Sequence, residues 1–369
     1  MRILCVIDSL GSGGAQRQLV GLAIGFKEEE HDVTVLVYHK DNFFEELLTS
    51  KGINVVRIIK SNYFLRLRSI RKYIRRSKYD SVISFLEAPS FICEVSGFPY
   101  RNWTLIVGER NADPNIFKSS KLRIYRWFHF FSDFIVANSH ANIDMVRKIN
   151  PFLSNTKCRV IYNLIDSKIE VFGNKSINRS KQTFKLLVAA RHEFQKNLDG
   201  LIEGVRLLSK IEKEKLEIDW YGNRIEPPYY GNYYPDGVKK INEYGLNSIF
   251  NFYPSTSRIY EEMNKADAIG LFSLYEGFPN AICEAMSIGR PVITTKTSDI
   301  DLIIEDGVSG IIIEDFNPQS ISKAISKLLS ISREGLDNMG QQAKIKARST
   351  FDKNKIVQHY LDLLANKYS

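Results

Sequence analysis

Short apolar runs alternate with helical patterns twice along this chain, and one polar stretch separates the two series. In the first series the strand candidates are Ile3–Ile7, Val33–Val37, Val55–Ile58, Ser81–Ser84, Thr104–Val107, Phe134–Ala137 and Val160–Tyr162. Helical patterns fall between them at Ala15–Glu28, Phe43–Ser50, Leu65–Arg76, Lys121–Phe131 and His140–Lys148. The second series has strand candidates at Phe184–Ala189, Glu217–Tyr221, Ile249–Tyr253, Ala268–Leu271, Val292–Thr294 and Gly310–Ile313, and the chain ends in helical stretches at Ile321–Leu329 and Lys355–Lys367. Strands that alternate with helices favour a parallel sheet covered on both faces, an α/β architecture. Residues 167–183 are polar with few apolar anchors and read as a linker. A chain of 369 residues exceeds the usual single domain. Two such domains are expected, with their strand-end loops facing one cleft, because parallel sheets bind ligands beyond the carboxyl ends of their strands.

One segment, LFSLYEGFPNAICEAMSIGRPVITT at 271–295, carries a denser pattern. It reads loop, helix, tight stop, strand. Pro279 suits a first helical turn, where its missing N–H costs nothing, and Gly289 suits a left-handed C-terminal cap. Free N–H groups at the helix start would make an anion site beside Gly277 and Phe278. Glu276 in the entering loop and Glu284 inside the helix flank that site. A phosphate cradle between two acceptor groups suits a ligand with phosphates in the middle and hydroxyls at both ends.

This segment resembles the Glu-x7-Glu motif of retaining glycosyltransferases of family 4, which have the GT-B fold. Gly13-Gly14-Ala15-Gln16-Arg17 is similar to that family's glycine pair at the first helix, and Asn163-Leu164-Ile165-Asp166 to its Asn-Gly-Val-Asp segment. Ala190-Arg191 followed by Lys196-Asn197 resembles its Gly-Arg…Lys-Asn loop, and Asp306-Gly307-Val308-Ser309-Gly310 its Asp-Gly-x-x-Gly turn. The pieces appear in family order over nearly the whole chain. The resemblance implies two Rossmann-like domains: an acceptor-binding domain over 1–170, a linker over 171–183, and a nucleotide-sugar domain over 184–350. A helix over 351–369 would return toward the first domain.

The resemblance also implies roles. Arg191 and Lys196 would neutralise the leaving nucleoside diphosphate, a guanidinium by forking phosphate oxygens and an ammonium as a movable point charge. Glu284 would read the ribose and Glu276 the donor sugar. Gly277 and Phe278 would offer backbone N–H groups to the phosphates, with Pro279 beside them in the donor site, and Gly13, Gly14 and Gly222 would let the donor lie close to the chain. The plainer alternatives are an exposed cap with two solvated cations, a loop carboxylate at a helix N-terminus and a core phenylalanine. An exposed helical ion pair is not one of them for Glu284, because its neighbours four residues away are Asn280 and Ile288. Many family members carry a histidine near the end of the Thr104–Val107 strand. This chain has Glu109-Arg110-Asn111 there. Glu109 and Arg110 are therefore acceptor-side candidates, with Glu87 a further one or an exposed loop acid.

The activity implied is transfer of a sugar from a UDP- or GDP-sugar to a hydroxyl of a glycan or lipid-linked oligosaccharide. It would proceed with retention and without a metal or other cofactor, in cell-surface polysaccharide synthesis. The net charge of +9 favours an anionic partner. Residues 64–78, FLRLRSIRKYIRRSK, form a basic amphipathic helix whose Arg66, Arg68, Arg71, Lys72, Arg75 and Arg76 suit an anionic membrane surface or a solvated face. A second tract at 118–131, KSSKLRIYRWFHFF, mixes cations with aromatics that suit a core equally well. No nucleic-acid motif accompanies either tract. The scattered Cys5, Cys93, Cys158 and Cys283 read as reduced thiols of a cytoplasmic protein, peripheral at the inner face of a membrane. A nucleotide-sugar epimerase and a non-catalytic membrane or nucleic-acid binder are the rival readings. The first would convert free donor, and the second would lack nucleotide selectivity. A nicotinamide enzyme is disfavoured because Gln16 stands where the third fingerprint glycine would fall.

Overall fold

The computed structural model describes residues 1–165, 183–224 and 233–365. The chain forms two compact units, one of Met1–Leu164 with the stretch from Lys353 onward, the other of Ile165–Asp352. Most of the expected linker, and Asp166, lie outside the described residues.

The first unit holds a parallel sheet of β1 (Arg2–Val6), β2 (Asp32–Val37), β3 (Asn54–Arg57), β4 (Ser81–Phe85), β5 (Thr104–Glu109), β6 (Phe134–Ala137) and β7 (Cys158–Val160). Its order is β3-β2-β1-β4-β5-β6-β7. The second holds β8 (Phe184–Ala189), β9 (Leu216–Tyr221), β10 (Phe250–Tyr253), β11 (Ala268–Leu271), β12 (Val292–Thr295) and β13 (Ile311–Ile313) in the order β10-β9-β8-β11-β12-β13, again parallel. Both are doubly wound. Every expected strand forms, with ends displaced by at most two residues. The reason is visible in β1, β4 and β11, whose residues are nearly all buried. A strand covered on both faces is built mainly of apolar and small residues, and that composition shows in the sequence.

In each sheet the strand order reverses at one point, between β1 and β4 in the first and between β8 and β11 in the second. Loops leaving adjacent strands on opposite sides of a reversal part from one another and open a crevice. The loops after β8 and β11 are those that carry Arg191, Lys196 and Glu276.

Several helices were not read from the sequence. Helix Arg333–Thr350 buries Leu336, Met339, Gly340, Ala343 and Ala347, a helical stripe made largely of small residues. Its Gly340 sits so close to helix Asn280–Ile288 that a Cβ there would meet the Gly289 carbonyl at 2.3 Å. Helix Glu87–Ser96 follows Leu86 at φ 75°, a left-handed turn that no apolar pattern announces. The expected helix Lys121–Phe131 is an α-helix over Ser120–Phe128 that tightens into a 3-10 turn over His129–Phe131.

The last helix, Lys353–Ala365, belongs to the core of the first unit. Tyr360, Val357 and Leu364 are buried there beside Leu19, Ala23 and Phe26. Burying each such large side chain contributes about 1.5–3 kcal/mol. Gly25 makes the approach possible, since a Cβ there would lie 2.3 Å from Val357 Cγ2.

Candidate active site

In the second unit, β8 runs into Ala190, Arg191, His192 and Glu193, then a 3-10 turn over Phe194–Lys196. Asn197 follows at φ 56° and caps helix Leu198–Arg206, its Oδ1 accepting from Gly200 N at 3.1 Å. Asparagine tolerates this left-handed conformation and supplies the cap at once. The turn fixes Gln195 and Lys196 toward the loop after β11. Leu274 N donates to Gln195 O at 2.8 Å, and Gln195 Nε2 donates to Tyr275 O at 2.7 Å.

Glu276 lies where the two loops meet and is buried. Its Oε1 accepts from Lys196 Nζ at 2.5 Å and from Ser273 Oγ at 2.6 Å, and its Oε2 lies 3.4 Å from Gln195 Nε2. Ser273 is itself placed by Thr295, whose Oγ1 donates to Ser273 O at 2.6 Å. The Glu276 carboxylate therefore has a cation and neutral donors around it. Gln195 and Ser273 were not singled out in the sequence. Their signal is adjacency, one directly before Lys196 and the other three residues before Glu276.

Arg191 differs from Lys196. Its side chain is 63% exposed, and its guanidinium lies 3.0 Å from the buried carboxylate of Glu193. The intervening His192 turns inward among Trp220, Tyr234 and Phe252. Burial, with Arg224 nearby, pushes its pKa down to about 4, so the imidazole is neutral.

Helix Asn280–Ile288 ends at Gly289 with φ 85°, the expected left-handed cap. Its start differs from expectation. Pro279 sits at the capping position, not inside the first turn, with φ −82° and ψ 66°. The N–H groups of Ile282 and Cys283 donate to Pro279 O, and that of Asn280 donates to Phe278 O. Those donors are used locally, so the expected cradle of free N–H groups does not include them. The Phe278 ring is buried edge-on to Phe351 at 5.8 Å, which makes its side chain core. Gly277 O accepts from Ser298 Oγ at 3.0 Å. Glu284 is half-buried midway along the helix.

Gly222 is packed backbone to backbone. A Cβ there would lie 1.9 Å from Ala190 O, so the position is closed to larger residues whatever binds beside it. In the first unit, Gly13 caps helix Gly14–Glu28 with ordinary backbone angles. Gln16 folds back over it to donate to Asp8 Oδ1 at 3.0 Å.

The acceptor-side candidates Glu87, Glu109 and Arg110 all have internal partners. Glu87 is the first residue of its helix and lies 3.4 Å from Arg126. Glu109 is buried, with Oε2 2.7 Å from Arg126 Nη2 and Oε1 2.8 Å from His129 Nε2. His129 Nδ1 lies 2.6 Å from Glu94, which is fully buried. Burial works against charge on Glu109, yet Arg126 and His129 outweigh it and hold its pKa at about 2. Burial likewise opposes charge on His129, and Glu94 with Glu109 overcomes it and raises its pKa to about 9. Arg110 stacks on Phe85 at 3.9 Å and donates to Asn163 Oδ1 at 3.1 Å and Tyr360 Oη at 2.5 Å. It ties the last helix to the sheet.

The basic helix Tyr63–Arg76 is also partly committed. Arg71 and Arg75 donate to the carbonyls of Ser96 and Phe98 at the end of helix Glu87–Ser96, and Arg66 stacks on Tyr38 at 4.7 Å. Arg68, Lys72 and Arg76 remain exposed in one row at helical spacing. Among the described residues no helix is long and apolar enough to cross a membrane, and no group of three or more His, Cys, Asp or Glu could hold a metal ion.

A family model described as glycosyl transferases group 1 matches residues 173–346, and one described as glycosyltransferase family 4 matches residues 12–168. The chain belongs to the group 1 glycosyltransferases. It is similar along its length to a Campylobacter jejuni N-acetylgalactosamine-N,N'-diacetylbacillosaminyl-diphospho-undecaprenol 4-alpha-N-acetylgalactosaminyltransferase, 24% identical over 97% of this chain and 98% of that protein. An uncharacterized glycosyltransferase of Methanocaldococcus jannaschii is 26% identical over 62% of this chain, which spans 57% of that protein's length. Among solved structures, Anabaena HepE in complex with UDP and glucose aligns with a TM-score of 0.85 at 20% identity, covering 99% of this chain and 100% of that one. A likeness at that identity carries the fold, and the fold of this glycosyltransferase is GT-B, two Rossmann-like α/β domains.

Proposed function

We propose that this glycosyltransferase moves a sugar from a UDP- or GDP-sugar to a hydroxyl of a glycan or polyprenyl-diphosphate-linked acceptor, with retention of configuration, in cell-surface polysaccharide synthesis. The observation that carries the reading is the Lys196–Glu276 pair at the strand-order reversal of the second sheet, with Arg191 leaving the same strand. Arg191 and Lys196 stabilise the negative charge that grows on the departing diphosphate. They stand where a divalent ion would otherwise serve, so turnover is expected to survive chelation. When Lys196 turns to the diphosphate, Glu276 keeps Ser273 and Gln195 as partners and its carboxylate is free to accept from sugar hydroxyls. Glu284 accepts from the ribose hydroxyls. Gly277 and Phe278 offer backbone N–H groups to the phosphates, Pro279 shapes the turn beside them, and Gly13 and Gly14 leave room at the start of the first helix.

Relatives support the donor and acceptor classes. HepE is described with UDP and glucose, and the Campylobacter enzyme is named for a diphospho-undecaprenol acceptor. A membrane-bound acceptor accords with a cytoplasmic-face enzyme whose exposed Arg68, Lys72 and Arg76 meet anionic lipid. Glu109 and Arg110 act through position, because both are spent on internal partners.

Calorimetry with UDP, GDP and ADP on wild type and Glu284→Ala tests the reading. Selective binding that the substitution weakens by about 1.5–3 kcal/mol supports it, the scale of a hydrogen bond to a charged group. A folded wild type that binds none of the nucleotides refutes it. The anomeric configuration of the product, followed by NMR, tests retention.

A further inference from the structure

The segment 114–132 of the first unit buries Ile116 and Tyr125 in the ordinary way, but its second half mixes buried charge with exposed aromatics. Its inward side carries Arg126 at 0% exposure and His129 at 1%, locked onto Glu109 and Glu94. Its outward side carries Ile124 at 52%, Trp127 at 44%, Phe130 at 54% and Phe131 at 36%. Ordinary globular packing would place these the other way round. The exposed face extends beyond the segment. Phe152 lies 5.8 Å from Trp127, and Phe98 lies 4.5 Å from Phe131, ring centre to ring centre. Phe152 is itself 72% exposed. Single exposed apolar residues are unremarkable, but two exposed aromatic clusters around one short segment, Trp127 with Phe152 and Phe98 with Phe130 and Phe131, mark an interaction surface.

Charge decides what fits it. From Pro114 to Ser132 the sequence has no aspartate or glutamate, while Lys118, Lys121 and Arg123 are exposed. Lys157 lies 5.3 Å from the Phe130 ring. Asp133, just beyond, is taken up by Arg101 at 2.7 Å. A second copy of this face would set cations against cations. An anionic bilayer satisfies both features, since its headgroups pair the lysines and arginine while aromatic rings favour the headgroup boundary. The carbonyl of Phe98 accepts from Arg71 and Arg75, so the aromatic face borders the basic helix Tyr63–Arg76.

We propose that the Ile124–Phe131 face inserts into the interfacial layer of an anionic membrane, with Lys118, Lys121 and Arg123 pairing headgroups and the buried Arg126–His129 network serving as its rigid base. This rests on the reading of the enzyme as one that works at a membrane, and it replaces a purely electrostatic contact with an inserted one.

The chain supplies its own reporter. Of three tryptophans, Trp103 and Trp220 are buried, and Trp127 alone is exposed. Vesicles of phosphatidylglycerol and phosphatidylcholine should shift wild-type Trp127 emission to the blue, and brominated acyl chains should quench it. Trp127→Phe should abolish the signal while vesicles still sediment the protein. Ile124→Ser with Phe130→Ser should lower vesicle affinity roughly tenfold or more, as expected for removing two inserted side chains. Binding to vesicles without any change in Trp127 emission overturns the proposal, as does unaltered affinity in the double variant. A blue shift that grows with protein concentration in the absence of lipid also overturns it, in favour of self-association. UDP and GDP binding measured on the same samples separates the two readings. Nucleotide binding without insertion rejects only the membrane face, and insertion without nucleotide binding rejects only the donor site.

Discussion

Each unit of the molecule holds a charged constellation beside its sheet, and the two are built to opposite rules. In the first, Arg126, Glu109, His129 and Glu94 form a closed, buried network in which each charge depends on the others. In the second, Lys196 and Glu276 meet where strand order reverses, each has solvent nearby at 14% and 8% exposure, and Glu276 has neutral donors in reserve. A closed network resists exchange, because any lost partner strands a charge in low dielectric. A pair with spare donors can open to a ligand at small cost. The difference separates charge used for architecture from charge available for chemistry.

The largest expected effect comes from breaking the closed network. Glu109→Ala removes the shorter partner of buried Arg126, leaving it only the longer contact to Glu87 at 3.4 Å, takes one carboxylate from His129 as well, and should destabilise the protein by about 3–5 kcal/mol. Urea unfolding measures it, and a loss under about 1 kcal/mol would erase the contrast between the units. Next is its pH dependence. The pKa of His129 is raised from 6.5 to about 9 by folding, so its contribution is whole below pH 6.5 and lost as pH climbs through 9. The melting temperature of wild type should fall across that window, and that of His129→Gln should fall less. Equal slopes would place the alkaline loss elsewhere.

Opening the second constellation should act on binding. Lys196→Ala should weaken nucleoside diphosphate affinity by about 1.5–3 kcal/mol, the scale of a charge-assisted hydrogen bond, with less effect on folding than Glu109→Ala. If calorimetry instead finds binding intact and the melt collapsed, the pair is architectural after all. Arg191→Ala should be the mildest for stability, about 1–2 kcal/mol by urea melts, because the guanidinium is mostly exposed but its loss leaves the buried Glu193 carboxylate without its cation, while affinity for the diphosphate also drops. A stable variant with unchanged affinity would remove Arg191 from the site.

The two constellations also differed in how they could be read. Glu276 and Glu284 stand eight positions apart around a glycine and a proline, and Arg191 and Lys196 five apart after an apolar strand, so local spacing carried them. Glu94, Glu109, Arg126 and His129 come from four elements with no shared motif, and only packing joins them. The same limit explains the basic helix. Six cations at 66–76 looked equivalent, yet Arg71 and Arg75 cap a neighbouring helix and only Arg68, Lys72 and Arg76 stay exposed. It explains the aromatic tract at 118–131 too, which a core and a membrane face would compose alike.

By itself the sequence determined the two parallel sheets and the loops that follow their strands, because a strand buried on both faces is a mainly apolar run bounded by polar loops. It also determined the left-handed cap at Gly289, where a backbone angle favours one residue type. The tertiary structure alone decided which charges are buried together, which arginines are consumed as caps, and which face of 120–131 turns outward. Those outcomes depend on contacts between residues far apart in the chain, and no local periodicity encodes them.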